Sequence, residues 1–163
     1  MSNPGKSSFS KTRNSLHQNY KTLDIDHNAE AEYIDAGHPL DYAYQSPNQI
    51  STDKAYGSAQ NYYKSEKAAV LSGPEWAEAA RVSRNPTRDG FVPDEDFRNN
   101  ISKWNDHKVD VAYKANALKF TQNEALAQEL LSTGNRPIVA RQGTQWSETN
   151  SKILMDIRDQ LRK

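Results

Sequence analysis

The 163-residue chain contains no cysteine. That excludes a disulfide framework and any thiolate metal site. Net charge is also absent, because 21 Lys and Arg balance 21 Asp and Glu. No global field draws such a chain to nucleic acid or to an anionic membrane, so strong nonspecific nucleic-acid binding is excluded. No apolar run is long enough to span a bilayer, and the N-terminus has no apolar signal core. No membrane association is expected, and a soluble protein with a cytoplasmic location is. A glycine-rich phosphate loop is missing too: "GTQWSETNSK" comes nearest but lacks the glycines and the lysine spacing. His17, His27, His38 and His107 are scattered, with no pair at i, i+4 and no acid at ligand spacing. No metal is therefore expected. No G-x-S-x-G elbow supports serine–histidine catalysis, and nothing in the chain asks for a cofactor.

The charge that is present is unevenly spread. "MSNPGKSSFSKTRNSLHQNYK" carries Lys6, Lys11, Arg13 and Lys21 and no acid, whereas "LDIDHNAEAEYID" is strongly acidic. The first stretch is rich in Ser, Asn, Gly and Lys and has no periodic apolar face. It reads as disordered in isolation. Residues 1–37 are accordingly expected to form a polar N-terminal arm, disordered unless bound, and residues 38–163 the domain. The arm is either a solvated tail or a docking segment that orders on a partner protein or on phosphates.

The pattern within the domain is mainly helical. Residues 36–57 read as loop and short extended pieces, punctuated by Pro39 and Pro47, with Tyr42, Tyr44 and Tyr56 as buryable surface. "SAQNYYKSEKAAVLSG" predicts a helix capped by Ser58 and ended by Gly73, with Tyr62, Ala69 and Val70 at helical spacing. Pro74 suits the first turn of the next helix, which turns Trp76 and Ala80 inward. "RNPTRDG" reads as a loop. Arg81, Arg84 and Arg88 crowd this loop and are either solvated or a phosphate grip. From Asp94 to Phe120, the positions Phe97, Ile101, Trp104, Val111, Ala115 and Leu118 make one buried stripe, with a bend expected near Asn99–Asn100. "TQNE" then reads as a capping box, Thr121 to Glu124. Leu126, Leu130 and Leu131 form the following face, and Gly134 is the left-handed stop. "RPIVARQ" is the best strand, ended by Gly143. "SKILMDIRDQLRK" is the last helix, and Trp146 is placed in the loop before it. The fold class expected is α+β, predominantly helical.

Four pieces in order resemble the NADAR family, named for a link to NAD and ADP-ribose. "SAQNYYKSEKA" resembles its early helix, and "KWNDHKVDVAYKANALKFTQN" its Trp-bearing helix. "ALAQELLSTGNRPIVA" resembles its "LxxxLLxTGxxxLVE", and "QWSETNSKILMDIR" its second Trp and final helix. The resemblance covers roughly residues 40 to 162 and implies a NADAR-like single domain with a polar extension. It also implies N-glycosidase chemistry at C1 of a ribose, with ADP-ribosylated guanine or phosphoribosyl-amino pyrimidines as substrates. Breaking that C–N bond develops oxocarbenium character, which a carboxylate stabilises or attacks through water.

The departures from the family lie where that chemistry belongs. The early-helix acid is replaced by Gln60. "DYAY" at Asp41–Tyr44 does not reproduce the family's Phe/Leu-Ser-Asn-Phe. Ser147 and Glu148 follow Trp146 in place of a glycine-rich loop. Two readings follow. In one, a divergent domain binds ADP-ribose or a ribosylated base between Tyr62, Trp104 and Trp146. Lys67 and the arginines take phosphate, Gln60 positions the ligand, and Glu148 is the catalytic acid. In the other, the protein is a catalytically inactive structural or interaction protein, a pseudoenzyme docked in an assembly through residues 1–37.

Overall fold

The computed structural model describes residues 23–141 and 146–163, and the expectations placed on residues 1–22 and on Gly143 lie outside them. Strand β1 (Glu32–Ile34) pairs in parallel with β4 (Ile138–Ala140), in the register Glu32↔Ile138 and Ile34↔Ala140. A small antiparallel pair, β2 (Ile50–Ser51) and β3 (Ala55–Tyr56), flanks the first helix among the described residues. That helix is α1 (Ala59–Leu71), followed by α2 (Pro74–Val82), the single turn α3 (Pro86–Asp89), the long α4 (Asp94–Gln122) and α5 (Glu124–Leu131); after β4 comes α6 (Trp146–Leu161). The class is α+β with helix dominant, as expected. Among the described residues no helix is long and apolar enough to cross a membrane.

Several local signals act as the sequence implies. Ser58 caps α1 by accepting the Asn61 N–H at 3.1 Å. Gly73 takes φ +147°, which side-chain-bearing residues rarely adopt, and Pro74 opens α2 where its missing N–H costs nothing. Gly134, at φ +63°, ends the turn after α5.

Others differ. Thr121 makes no capping box: it lies inside α4, and its hydroxyl donates to the Ala117 carbonyl at 2.7 Å, the habit of a Thr within a helix. Asn123, extended at φ −133°, separates α4 from α5 instead. Nor does α4 break at Asn99–Asn100: the helix runs on through both, and the Asn100 amide donates to Leu71 O on α1 and to Asp96 O of its own helix. Phe97 is exposed, so the buried stripe begins later, and its fully buried members include Trp104, Ala115 and Leu118. On α1 the inward alanine is Ala68, and Ala69 is exposed. "RNPTRDG" contains the turn α3, capped by Asn85. Trp146 is the first residue of α6, not a loop residue. The boundary at 37/38 falls after β1, whose Ile34 is fully buried, so the described residues before it pack on the domain.

The core lies where α4 packs on α1 and α6, with the β1–β4 pair laid against α6. Ile34, Leu130, Ile153 and Ile157 are wholly buried there. Each such side chain contributes roughly 1.5–3 kcal/mol. Several polar groups buried in the domain are matched. Asn61 is 1% exposed; its Nδ2 donates to the carbonyls of Ala80, Arg81 and Ser83 at 3.1, 3.2 and 2.7 Å, and its Oδ1 accepts from Ser58. One amide thereby holds the end of α2 against the start of α1. Arg158 bridges Thr133 and the Arg136 carbonyl. Asp156 accepts from the Tyr113 hydroxyl at 2.5 Å, while its other oxygen finds no partner among the described residues.

Two predictions follow from these buried groups. Asn61→Ala leaves the end of α2 without its donor and is expected to destabilise the fold by about 2 kcal/mol, measured by urea unfolding. Burial raises the Asp156 carboxyl to about 6, against the pull of the Tyr113 hydrogen bond. Folding therefore favours the protonated acid. That contribution is complete below about pH 4 and is lost as pH rises through 6. Asp156→Asn carries no charge, so its stability relative to the wild type should improve between pH 4 and pH 8, by on the order of 2 kcal/mol. Equal differences at both pH values would refute that assignment.

Candidate ligand-binding cleft

On α1, Gln60, Tyr63, Lys64 and Lys67 stand at offsets of three, four and seven, so helical geometry stacks them on one face. On α4, Ala112, Ala115 and Asn116 share a face in the same way. The two alanines leave a hollow between the helices. Trp146 and Asn150, one turn apart at the start of α6, close another side. Tyr42 from the loop before β2 and Thr87 from α3 complete a cleft of about 400 Å³.

Its walls are aromatic. The Tyr63 ring meets Trp146 edge-on, with centroids 5.7 Å apart at 79°, and meets Trp104 from behind at 5.3 Å and 68°. Such edge-to-face contacts fix ring planes more firmly than apolar burial alone. Tyr63 is therefore a rigid plate between two tryptophans. Gln60 sits at the rim. Its Nε2 donates to the Tyr42 hydroxyl at 3.3 Å and to Thr87 at 3.0 Å, and so holds two lining residues in place.

Its charge is positive. Lys64 and Lys67 line it, and Lys108 places its ammonium 5.5 Å from the Trp146 ring centroid. Burial lowers the pKa of Lys64. Burial, and then the charges of Lys64 and Lys108, lower that of Lys67. Burial pushes the Tyr42 and Tyr63 hydroxyls up. Among the described residues that line the cleft there is no Asp or Glu. A site with crowded cations and no counter-charge favours an anion.

The predicted residues are partly gathered here. Lys67 and Trp146 line the cleft, and Gln60 braces it. Trp104 is 1% exposed and supports Tyr63 from the core. Tyr62 points elsewhere: it packs edge-on to Tyr56 at 5.1 Å in a second core cluster. Glu148 stands on the exposed side of α6, its side chain 80% exposed and paired with Lys152 at 3.1 Å. The arginines do not serve the cleft. Arg81 pairs with Glu78, Arg88 pairs with Asp89 at 2.9 Å, and Arg81 and Arg84 line a separate hollow of about 270 Å³. Tyr63 and Lys64 were not anticipated. The signal was present: both fall at helical spacing from Gln60 and Lys67, whereas Tyr62 does not.

Comparison with known proteins agrees with this architecture. A 40-residue segment, 24% of this chain, is 48% identical to the N-glycosidase R617 of Acanthamoeba polyphaga mimivirus, and the match spans about a quarter of that relative's length. The NMR structure of the Escherichia coli protein YbiA superposes with a TM-score of 0.62 over 85% of this chain and 89% of its own, at 19% identity, which speaks for the fold alone. Residues 9–162 match the NADAR domain, and the chain belongs to the NADAR family.

Proposed function

We propose that the cleft binds a ribosylated nucleotide, ADP-ribose or a base bearing it, and that the protein is an N-glycosidase releasing ADP-ribose from modified guanine. The observation that carries the reading is the pairing of the Tyr63–Trp146 aromatic corner with Lys64 and Lys67 in one cleft. A nucleotide has a flat apolar base and an anionic phosphate, and this corner offers a partner for each. Trp146 stacks on the base, Lys67 and Lys64 take phosphate, Trp104 keeps Tyr63 upright, and Gln60 fixes Tyr42. Support for N-glycosidase chemistry comes from family membership and from the partial relative that bears that name.

Tyr62 has no part in this reading, and Glu148 is not its acid, since an exposed carboxylate paired with Lys152 lies away from the cleft. A second reading, a binding domain without catalysis, is favoured by one observation: no carboxylate is among the described residues lining the cleft.

Calorimetric titration with ADP-ribose tests the ligand. Binding is expected, weakened at least tenfold by Trp146→Ala, since stacking on an aromatic ring contributes roughly 1–3 kcal/mol per base. Lys67→Ala should weaken binding less in high salt than in low salt. No binding at millimolar ADP-ribose would end the reading. On a DNA oligonucleotide carrying ADP-ribosyl-guanine, Glu148→Gln is expected to release ADP-ribose at the wild-type rate. A loss of more than tenfold would return the acid's role to Glu148.

A further inference from the structure

Below the cleft lies a recess of about 10 Å³ that shares Tyr42, Asn116 and Asn150 with it. Ile34, Leu40 and Leu154 supply apolar wall, and one further polar residue joins them: Asp41, 5% exposed. A space of this size holds about one water, provided two to four polar groups surround it. Asp41, Asn116 and Asn150 meet that requirement. Asn116 is buried and spends its Nδ2 on the Ala112 carbonyl at 2.9 Å, which leaves its Oδ1 to accept.

Asp41 is firmly placed. Lys119, fully buried, donates to its main-chain carbonyl at 2.7 Å, and Asp41 N donates to His38 O at 2.9 Å. Its charge is felt on both sides. It raises the pKa of the Tyr42 phenol in the cleft, and it offsets part of the burial penalty on Lys119 in the core. Asp41 thus binds the core cation through its main-chain carbonyl and also lines the recess beneath the cleft.

We propose that Asp41 is the catalytic carboxylate of the cleft, acting as general base on a water held in this recess. This inference rests on the reading of the cleft as a ribosyl-nucleotide site. The water oxygen attacks C1 of the ribose as the C1–N bond breaks, and that bond's electron pair goes to the base nitrogen. The water's proton passes to Asp41 and is returned through solvent to the departing nitrogen. Ribosylated base plus water thus gives a ribose with a C1 hydroxyl and a free base. The inference also accounts for the missing acid on α1: the carboxylate is supplied from the loop facing that helix.

The test compares wild type, Asp41→Asn and Asp41→Ala on the ADP-ribosyl-guanine oligonucleotide, with ADP-ribose calorimetry and thermal melting alongside. Asp41→Asn keeps the side chain's shape. It should lower kcat at least 100-fold, with ADP-ribose affinity within about threefold of wild type. Added formate should restore part of the turnover of Asp41→Ala, because a small carboxylate fits where the side chain was removed. Asp41→Asn turning over within tenfold of wild type overturns the inference. So does a folded Asp41→Ala that formate leaves unchanged. Wild type that binds ADP-ribose but releases none from the oligonucleotide also overturns it, while leaving the ligand reading intact. Absence of ADP-ribose binding removes both.

Discussion

The Lys119 ammonium, buried without exposure in the middle of the domain, is the constraint on which the cleft depends. Taking an ammonium out of water costs several kcal/mol unless other groups replace its hydration. Here the Asp41 carbonyl accepts at 2.7 Å, and the rings of Phe120 and Tyr44 lie 5.2 and 5.7 Å from the charge. The compensation is incomplete, and burial brings the ammonium down to about 7. A residue this costly to bury tolerates little displacement of its one carbonyl partner. The loop that carries Asp41 and Tyr42 is held to α4 for that reason.

The same end of α4 repeats the device. Asn123 accepts the Asn48 N–H at 2.8 Å, and Gln122 exchanges hydrogen bonds with both backbone groups of Ser51. Residues 41–51 have little regular structure, so their backbone groups need partners from elsewhere. Side chains from one helical end supply them. A loop that would otherwise be soft becomes a fixed wall opposite α1. On that wall Tyr42 meets Gln60, and on the far side Tyr63 is clamped by Trp104 and Trp146.

Much of the scaffold was legible in the sequence because it is written in local rules. Ser58, Gly73, Pro74 and Gly134 act through their own backbone geometry, and the α4 stripe follows helical periodicity. The misreadings share one cause, competition between local and tertiary partners. Thr121 had a cap within reach but took its own helix's carbonyl. Asn99–Asn100 looked like a break, yet Asn100 found Leu71 O across the interface. β1 could not be seen, because a three-residue strand is defined by a partner more than a hundred residues away. For the site, motif order singled out Lys67 and Trp146, and both line the cleft. Tyr62 was preferred to Tyr63 because the motif weighs letters, whereas the cleft follows the helical face shared with Gln60 and Lys67.

Two of the three departures from the family pattern touch each other. Gln60 donates its backbone N–H to the Tyr42 carbonyl at 2.9 Å and its side-chain amide to the Tyr42 hydroxyl, so the altered helix position and the altered "DYAY" stretch meet across two hydrogen bonds. An amide suits that place, since it donates to the phenol oxygen, which a carboxylate cannot do. A carboxylate at position 60 would also add a second negative charge beside the Tyr42 phenol, which already feels Asp41. Two carboxylates acting on one half-buried phenol raise each other's pKa and work against holding either ionised. Gln60 and the "DYAY" stretch are thus joined physically: the amide on α1 holds Tyr42 through two hydrogen bonds, and position 60 brings no charge to the phenol.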